Sequence, residues 1–253
     1  MLKKIIPALF FLPFLMCAQQ TQTVKDTVSN PDTSKYQFGY KQLIIPGVLI
    51  GYGIIGIGSD QIIDYNKGIR EEVKEHIDEK ITIDDFSQYA PMLSVYALNA
   101  AGIEGKHNLG DRTIIMATSY IIMATTVTTL KHTIHVRRPD GSSDNSFPSG
   151  HTATAFAGAE FLWQEYKDKN IWYGITGYVV ATGTGAFRMY NNRHWLTDVA
   201  AGAGIGILST KAAYWLFPTI KKHIFGGETG KATGMVMPYY DGRQMGMAAA
   251  IRF

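Results

Sequence analysis

The segment from Lys131 to His151 concentrates residues that can hold an anion and move a proton. It reads KHTIHVRRPDGSSDNSFPSGH and contains three cationic side chains and three histidines. Lysine and arginine neutralise phosphate, and the planar arginine side chain can bind two oxygens at once. A loop that only connects two elements does not need this composition. The segment therefore predicts a site for a small, strongly anionic group.

The end of this segment has the pattern of a helix start. Pro148, Ser149, Gly150 and His151 precede an apolar stretch that continues to residue 167. The first amides of a helix point outward, and the helix dipole favours negative charge there. Gly150 permits close approach of a ligand to the backbone, and Ser149 adds a hydroxyl. We expect this helix start to contact the anion.

A second group of reactive residues lies further along the chain. His194 and Asp198 are four residues apart at a predicted helix start, which would place both on one helix face. A carboxylate there can accept the proton of one imidazole nitrogen and leave the other nitrogen free to attack. His151 is then available to protonate the leaving oxygen, a contribution of about 10²–10⁴-fold.

The order and spacing of these residues form three motifs. They are Lys131, six residues, Arg138-Pro139; then Pro148-Ser149-Gly150-His151; then Arg188, five residues, His194, three residues, Asp198. This pattern resembles the signature of the type 2 phosphatidic acid phosphatase family, which shares its fold with bacterial acid phosphatases and vanadium haloperoxidases. The favoured member type is a bacterial lipid A phosphatase.

The resemblance implies a role for each motif residue. His194 would form a phosphohistidine, Asp198 would orient it, and His151 would act as general acid and later activate water. The phosphoryl oxygens would be held by Lys131, Arg138, Arg188, Ser149 and the Gly150 amide. The family uses no metal ion or other cofactor, so we expect neither here.

Some residues near the motifs match no fixed position of the signature. Phe187 stands before Arg188 where the family usually has serine, which removes one hydroxyl contact. We interpret three residues of the first motif region, His132, His135 and Arg137, as structural or rim residues. Arg193 is interpreted as substrate-facing or as a surface charge.

Helical patterns dominate the part of the chain that must position these motifs. They cover residues 43–58, 62–80, 89–103, 112–134, 151–167, 171–187 and 194–217. Small residues recur in the last two of them, as GTGA and GAGIG, and would let helices approach closely. The sequence predicts an all-α helical bundle over residues 41–220, and the resemblance implies that it is of the phosphatidic acid phosphatase and haloperoxidase type.

The two ends of the chain differ from this bundle. Residues 1–18 have the charged start and short apolar core of a signal peptide or signal anchor, and residues 19–40 are a polar linker. In the tail, residues 231–253, an Asp241-Gly242 turn is followed by alternating apolar residues. This tail predicts a short β-hairpin folded against the bundle.

The composition and the predicted export signal together restrict the possible partners and the cellular location. The net charge of +3 over 253 residues, without a run of lysine and arginine, argues against nucleic acid as a partner. We expect the bacterial envelope, with the inner membrane favoured and the active site facing the periplasm; an outer-membrane-associated or soluble periplasmic protein is the alternative. The expected partners are a membrane and a phosphorylated membrane lipid, with no obligate protein partner.

The choice of lipid A over other lipid phosphates depends on the family resemblance. Phosphatidic acid, phosphatidylglycerol phosphate and undecaprenyl pyrophosphate are alternative substrates. Two other classes of protein remain open from the sequence. A vanadium haloperoxidase would use His194 as a ligand for vanadate, and a non-catalytic envelope protein would keep only the bundle.

Overall fold

A computed structural model describes residues 39–74, 82–224, 233–240 and 245–252. A 3₁₀ turn, Tyr40–Leu43, leads into the first of eight α-helices in these ranges. The helices are α1 (Ile44–Gly58), α2 (Asp60–Lys74), α3 (Ile83–Ser87), α4 (Ala90–Ala100), α5 (Leu109–Thr133), α6 (Gly150–Tyr166), α7 (Ile171–Tyr190) and α8 (Leu196–Ile224). The all-α bundle predicted from the sequence is confirmed in this part of the chain.

Close packing of α6 against α8 depends on glycine. A side chain added at Gly202 would place its Cβ 2.5 Å from the Ser149 carbonyl oxygen, and one added at Gly206 would meet the Ala153 carbonyl oxygen. Only a residue without Cβ lets the two backbones come this close. On α7, a Cβ at Gly185 of the GTGA stretch would lie 2.8 Å from the Val199 side chain, whereas Gly183 beside it faces open space.

One apolar cluster lies in the half of the bundle away from the motifs. Phe161 and Tyr166 from the second half of α6 are buried there with Val95, Ile115 and Tyr214. Each such side chain contributes about 1.5–3 kcal/mol when it is removed from water. This cluster holds α4, α5, α6 and α8 together, and a smaller apolar cluster with Met123, Val127, Ala153 and Ile205 lies nearer the motifs.

Helix directions bring the motifs to one end. Ser149 donates its amide to the Asp198 carbonyl at 3.0 Å, so the starts of α6 and α8 lie side by side. The last turn of α5 reaches the same end, since Val127 lies beside Gly150. The last turns of α7 reach it as well, because Gly185 lies against Thr152.

Several helix bounds differ from the sequence prediction. Helix α3 was not predicted, because five residues are too few to show helical periodicity. Helix α5 begins earlier than residue 112, at Leu109, since the Asn108 side chain accepts the Asp111 amide at 2.9 Å and caps it. Helix α8 continues past Pro218, which removes only one backbone donor from the helix.

Two helices of the described residues are long and apolar enough to cross a membrane. They are Tyr40–Gly58, which includes the 3₁₀ turn, and Leu109–Thr133; only 17% and 28% of their apolar windows are buried. Large aliphatic side chains are exposed on α1, α5 and α7, among them Ile45, Val48, Ile55, Ile121 and Val179. Much of the apolar surface of these helices is therefore not covered by the described part of the chain.

The tail contains two antiparallel strands, β1 (Thr233–Tyr240) and β2 (Met245–Arg252), with Thr233 opposite Arg252. The predicted turn at residues 241–242 lies outside the described residues, so the hairpin turn and its packing against the bundle stay predictions. The signal segment, 1–18, and nearly all of the linker, 19–40, also lie outside the described residues.

Candidate active site

The motif residues occupy the ends of four helices. Lys131 lies in the last turn of α5 and Arg188 in the last turn of α7. His151 lies in the first turn of α6, and Asp198 lies in the first turn of α8. Because α5 and α7 run towards this end while α6 and α8 start from it, residues far apart in sequence meet here.

His194 precedes α8 and does not lie on it. The prediction that His194 and Asp198 share one helix face is wrong, because α8 starts only at Leu196. The Asp198 carboxylate instead accepts the Trp195 amide at 2.9 Å, as the third residue of a helix does in a capping box. This turn still brings His194 Nδ1 to 3.6 Å from Asp198 Oδ2.

The His194 imidazole is neutral at pH 7. The side chain is almost fully buried, with 3% of the residue exposed. Burial lowers the pKa of His194 to about 4; the positive charges of Lys131 and Arg188 act in the same direction, and Asp198 acts against them. A neutral imidazole retains a lone pair, which is what a nucleophile requires.

Ser146 is a buried partner of Asp198 that the sequence analysis did not identify. Its hydroxyl donates to Asp198 Oδ2 at 2.5 Å and lies 3.5 Å from His194 Nδ1. The other carboxylate oxygen, Oδ1, is buried and has no hydrogen-bond partner among the described residues. Ser146 stands two residues before the Pro148 motif, and that position has no fixed role in the signature.

Asn145 accepts hydrogen bonds from two of the three cationic side chains of the motifs. Lys131 Nζ donates to the Asn145 carbonyl at 2.6 Å, and Arg138 Nε donates to its side-chain oxygen at 3.1 Å. Burial lowers the pKa of Arg138, and the nearby charge of Arg188 lowers it further. In the ranges that the structure describes, neither Lys131 nor Arg138 has a carboxylate within 4.0 Å.

Arg188 is held in place by the short helix α3. Its Nη1 donates to Asp84 Oδ2 at 2.6 Å, and Asn191 donates to the other oxygen of Asp84 at 3.0 Å. Asp84 is buried, with 1% of the residue exposed. A charge-assisted bond of this kind fixes the guanidinium group. The only sequence signal for this partner is the pair of adjacent carboxylates in IDDF.

His151 also has a partner on α3. Its Nε2 lies 2.9 Å from Asp85 Oδ1, and the Asp85 side chain is 51% exposed. Burial lowers the pKa of His151 and the charge of Arg188 adds to this effect, whereas the hydrogen bond and charge of Asp85 and the charge of Asp84 oppose it. Asp84 of α3 thus pairs with Arg188 and Asp85 pairs with His151, and the same Asp85 oxygen also lies 3.8 Å from Arg188 Nη1.

The start of α6 offers backbone donors to a ligand. Ser149 is the N-cap residue, and its hydroxyl shares a 2.8 Å hydrogen bond with the Thr152 hydroxyl. A Cβ on Gly150 would meet nothing closer than Val127 Cγ1 at 3.8 Å, so protein packing does not require glycine there. The first amides of a helix have no intrahelical acceptor. A bound anion would explain why residue 150 is a glycine, and it would accept hydrogen bonds from these amides.

The residues that match no motif position differ in exposure and in their local contacts. His132, His135 and Arg137 are exposed. Arg193 pairs with Asp140 at 3.2 Å, so this charge has a local partner. Phe187 packs edge-on against Tyr190, with ring centroids 6.1 Å apart. Within the described ranges, no three His, Cys, Asp or Glu side chains are grouped as metal ligands would be.

Comparison with protein families gives one match. Residues 112–222 match the model of the PAP2 superfamily. This range contains all three motifs. It lacks Asp84 and Asp85, which contact Arg188 and His151.

Two curated proteins are similar to parts of the chain. A lipid A 1-phosphatase of Porphyromonas gingivalis is 39% identical over 135 residues, which is 53% of this chain and 30% of that protein. The bacitracin transport permease protein BcrC of Bacillus licheniformis is 38% identical over 77 residues, which is 30% of this chain and 36% of that protein. The chain thus matches about a third of the length of these relatives.

Two solved structures resemble the chain. LpxE of Aquifex aeolicus has a TM-score of 0.46 at 20% identity and covers 59% of this chain and 94% of that one. A transmembrane PAP2-type phosphatidylglycerolphosphate phosphatase of Bacillus subtilis has a TM-score of 0.43 at 20% identity and covers 71% of this chain and 97% of that one.

Proposed function

We propose that this chain, whose residues 112–222 match the model of the PAP2 superfamily, removes a phosphate group from a membrane lipid, with lipid A as the favoured substrate. One observation carries the proposal. Lys131 and Arg188 lie near the buried imidazole of His194, whose pKa of about 4 keeps it neutral, and Arg138 lies near Arg188 and Asp198. A pocket of this kind attracts a phosphate and offers it a nucleophile.

The anion is held by side chains and backbone together. Lys131 and Arg138 have no carboxylate partner within 4.0 Å among the described residues, so their charge is available to phosphoryl oxygens. Arg188 offers further donors although Asp84 holds one side of it. The amide of Gly150 at the start of α6 adds a donor aligned with the helix dipole. Together with Ser149, these groups form the proposed phosphate-binding site, which we call the phosphate cradle.

The reaction proceeds in two displacements. In the first, the free lone pair of His194 attacks phosphorus, the bond from phosphorus to the lipid oxygen breaks, and that oxygen takes its electron pair and the proton of His151. In the second, water attacks the phosphohistidine, gives a proton to His151, and the phosphorus–nitrogen bond breaks with its electrons returning to His194. Asp198 stabilises the imidazolium in between and needs no proton itself.

The helix surface supports a membrane lipid as the substrate. The segment Tyr40–Gly58, which is the 3₁₀ turn with α1, and helix α5 are long and apolar enough to span a bilayer, and aliphatic residues such as Ile45, Val48 and Ile121 are exposed on them. Exposed apolar area of this extent is typical of a lipid contact. In a bilayer that α5 crossed, its last turn, with Lys131, would lie near the headgroup level where a lipid phosphate is found.

The choice of lipid A rests on a relative. The P. gingivalis protein named as a lipid A 1-phosphatase is 39% identical over 135 residues of this chain. We place the protein in the bacterial envelope with its catalytic end facing the periplasm. Removing a phosphate there would reduce the negative surface charge that attracts cationic peptides.

The decisive experiment measures phosphate release by the purified protein in detergent micelles with a chelator present. The substrates are lipid A, phosphatidic acid, phosphatidylglycerol phosphate, undecaprenyl pyrophosphate and a soluble phosphate ester. His194→Ala is the test variant. His223→Ala, which removes an exposed histidine from the far end of α8, is the matched control. We expect release from lipid A that is lost in the first variant and kept in the second.

Each other outcome has a defined meaning. Histidine-dependent release from a different lipid would keep the mechanism and replace the substrate. Turnover near the wild-type rate in His194→Ala would refute the mechanism. No release from any substrate, combined with bromide oxidation after loading with vanadate, would identify a haloperoxidase instead.

A further inference from the structure

We infer that Asp85 is a positioning residue for His151, which it holds in the one tautomer that can move a proton to and from the phosphoryl group. The inference rests on the proposed phosphatase function. Asp85 lies outside the region that matches the superfamily model, and none of the three motifs includes it. It reaches the site only through the tertiary placement of α3.

Helix α3 is fastened to the catalytic end of the bundle at three points. Asp84 binds Arg188 at 2.6 Å, Asp85 binds His151 at 2.9 Å, and the Ser87 hydroxyl lies 2.8 Å from the Thr184 hydroxyl. The first and third contacts anchor α3 to α7. They therefore fix where the Asp85 carboxylate stands relative to α6, so its contact with His151 does not depend on Asp85 alone.

The contact selects one nitrogen of His151. A carboxylate accepts hydrogen bonds only, so the Nε2 atom beside Asp85 must carry a proton. In the neutral ring the lone pair is then on Nδ1, and in the charged ring Nδ1 carries the second proton. Nδ1 is therefore the atom that gives a proton to the leaving oxygen and later accepts one from water. Bonds form and break as in the two displacements of the proposed reaction. Asp85 itself gains and loses no proton in either of them.

The charged groups around His151 come from two other helices. Arg188 of α7 opposes protonation of the ring, and Asp85 and Asp84 of α3 favour it. When the Asp85 charge is removed, less negative charge compensates the effect of Arg188 on the protonation of His151. The protonated ring then becomes rarer at neutral pH, and the alkaline limb of the pH profile of kcat/KM moves to lower pH.

The test compares Asp85→Asn with wild type on two classes of substrate. We expect kcat/KM for an alkyl phosphate to fall by about 10–100-fold, because a poor leaving group needs the acid. For p-nitrophenyl phosphate the fall should stay below about threefold, since this leaving group departs without a proton. Asp85→Glu should restore part of the alkyl phosphate activity. Asp168→Asn, at an exposed turn after α6, is the matched control and should change neither value.

A second measurement does not depend on turnover. Histidine labelled with ¹⁵N reports the tautomer and the pKa of His151, assigned with His151→Asn. We expect wild type to show a proton on Nε2 and Asp85→Asn to show a mixed tautomer and a lower pKa. If no substrate is turned over but this difference is present, the proposed function fails and the pairing stands. Equal losses on both substrates, or identical spectra, would overturn the role of Asp85.

Discussion

Gly202 couples the packing of α8 to the phosphate cradle, and Gly202→Ala would test that coupling. The new Cβ would lie 2.5 Å from the Ser149 carbonyl oxygen. Carbon and oxygen need about 3.3 Å or more, so the two backbones must separate by about 0.8 Å. Ser149 caps α6, and its displacement would carry the Gly150 amide with it.

The expected loss of stability in Gly202→Ala is obtained by comparison with Gly183→Ala. Both glycines lie inside long helices, so both variants gain the same helix propensity of about 1 kcal/mol. A Cβ at Gly183 meets nothing within 4 Å, whereas the one at Gly202 is forced into a packed interface. Overpacking costs about 1–3 kcal/mol. We expect Gly202→Ala to be less stable than Gly183→Ala by that amount.

Thermal unfolding in detergent micelles measures the difference in stability, at about 2–4 °C in Tm for each kcal/mol. Steady-state kinetics, through kcat/KM, report whether the phosphate cradle has been displaced. A shift of this size at a phosphate contact should lower kcat/KM by about 10–100-fold in Gly202→Ala. Gly183→Ala should keep the wild-type value. Equal Tm and equal kcat/KM in the two variants would refute the proposed link between helix packing and the cradle.

Three further predictions concern buried polar groups. Because the pKa of His194 falls from 6.5 to about 4 on folding, its contribution to stability is complete above pH 6.5 and is lost as the pH falls towards 4. The unfolding free energy of wild type should therefore drop by about 3 kcal/mol more than that of His194→Asn between pH 7 and 4; parallel curves would contradict this. Ser146→Ala removes a donor to Asp198 and should lower kcat about 10-fold with little change in KM, which steady-state kinetics would show. Glu165→Gln, at the other end of the bundle, leaves Arg112 without its counter-charge and should cost about 3–5 kcal/mol in chemical unfolding, while kcat per folded molecule stays at the wild-type value.

The residues of the candidate site could be grouped from the sequence. The motif residues, such as Arg138, His151 and His194, stand at characteristic spacings, and the structure brings them to one end of the bundle. Helix signals of period 3.6 placed most of the long helices within a few residues of their observed bounds. These features are local, so they are visible in a single chain.

The partners of the catalytic residues could not be read in the same way. Asp84 and Asp85 lie 104 and 66 residues from the side chains that they contact. Their helix, α3, is too short for a periodic pattern. Ser146 lies close to its motif, but its role depends on Asp198, which packing brings within 2.5 Å.

The sequence by itself determined the fold class and which groups can perform the chemistry, because periodicity and motif spacing are local properties of the chain. The tertiary structure decided which protonation states and orientations those groups adopt. Burial lowers the pKa of His194, the start of α8 at Leu196 places Asp198 beside it, and α3 supplies a carboxylate to His151. Desolvation and long-range contacts exist only once the helices have packed together.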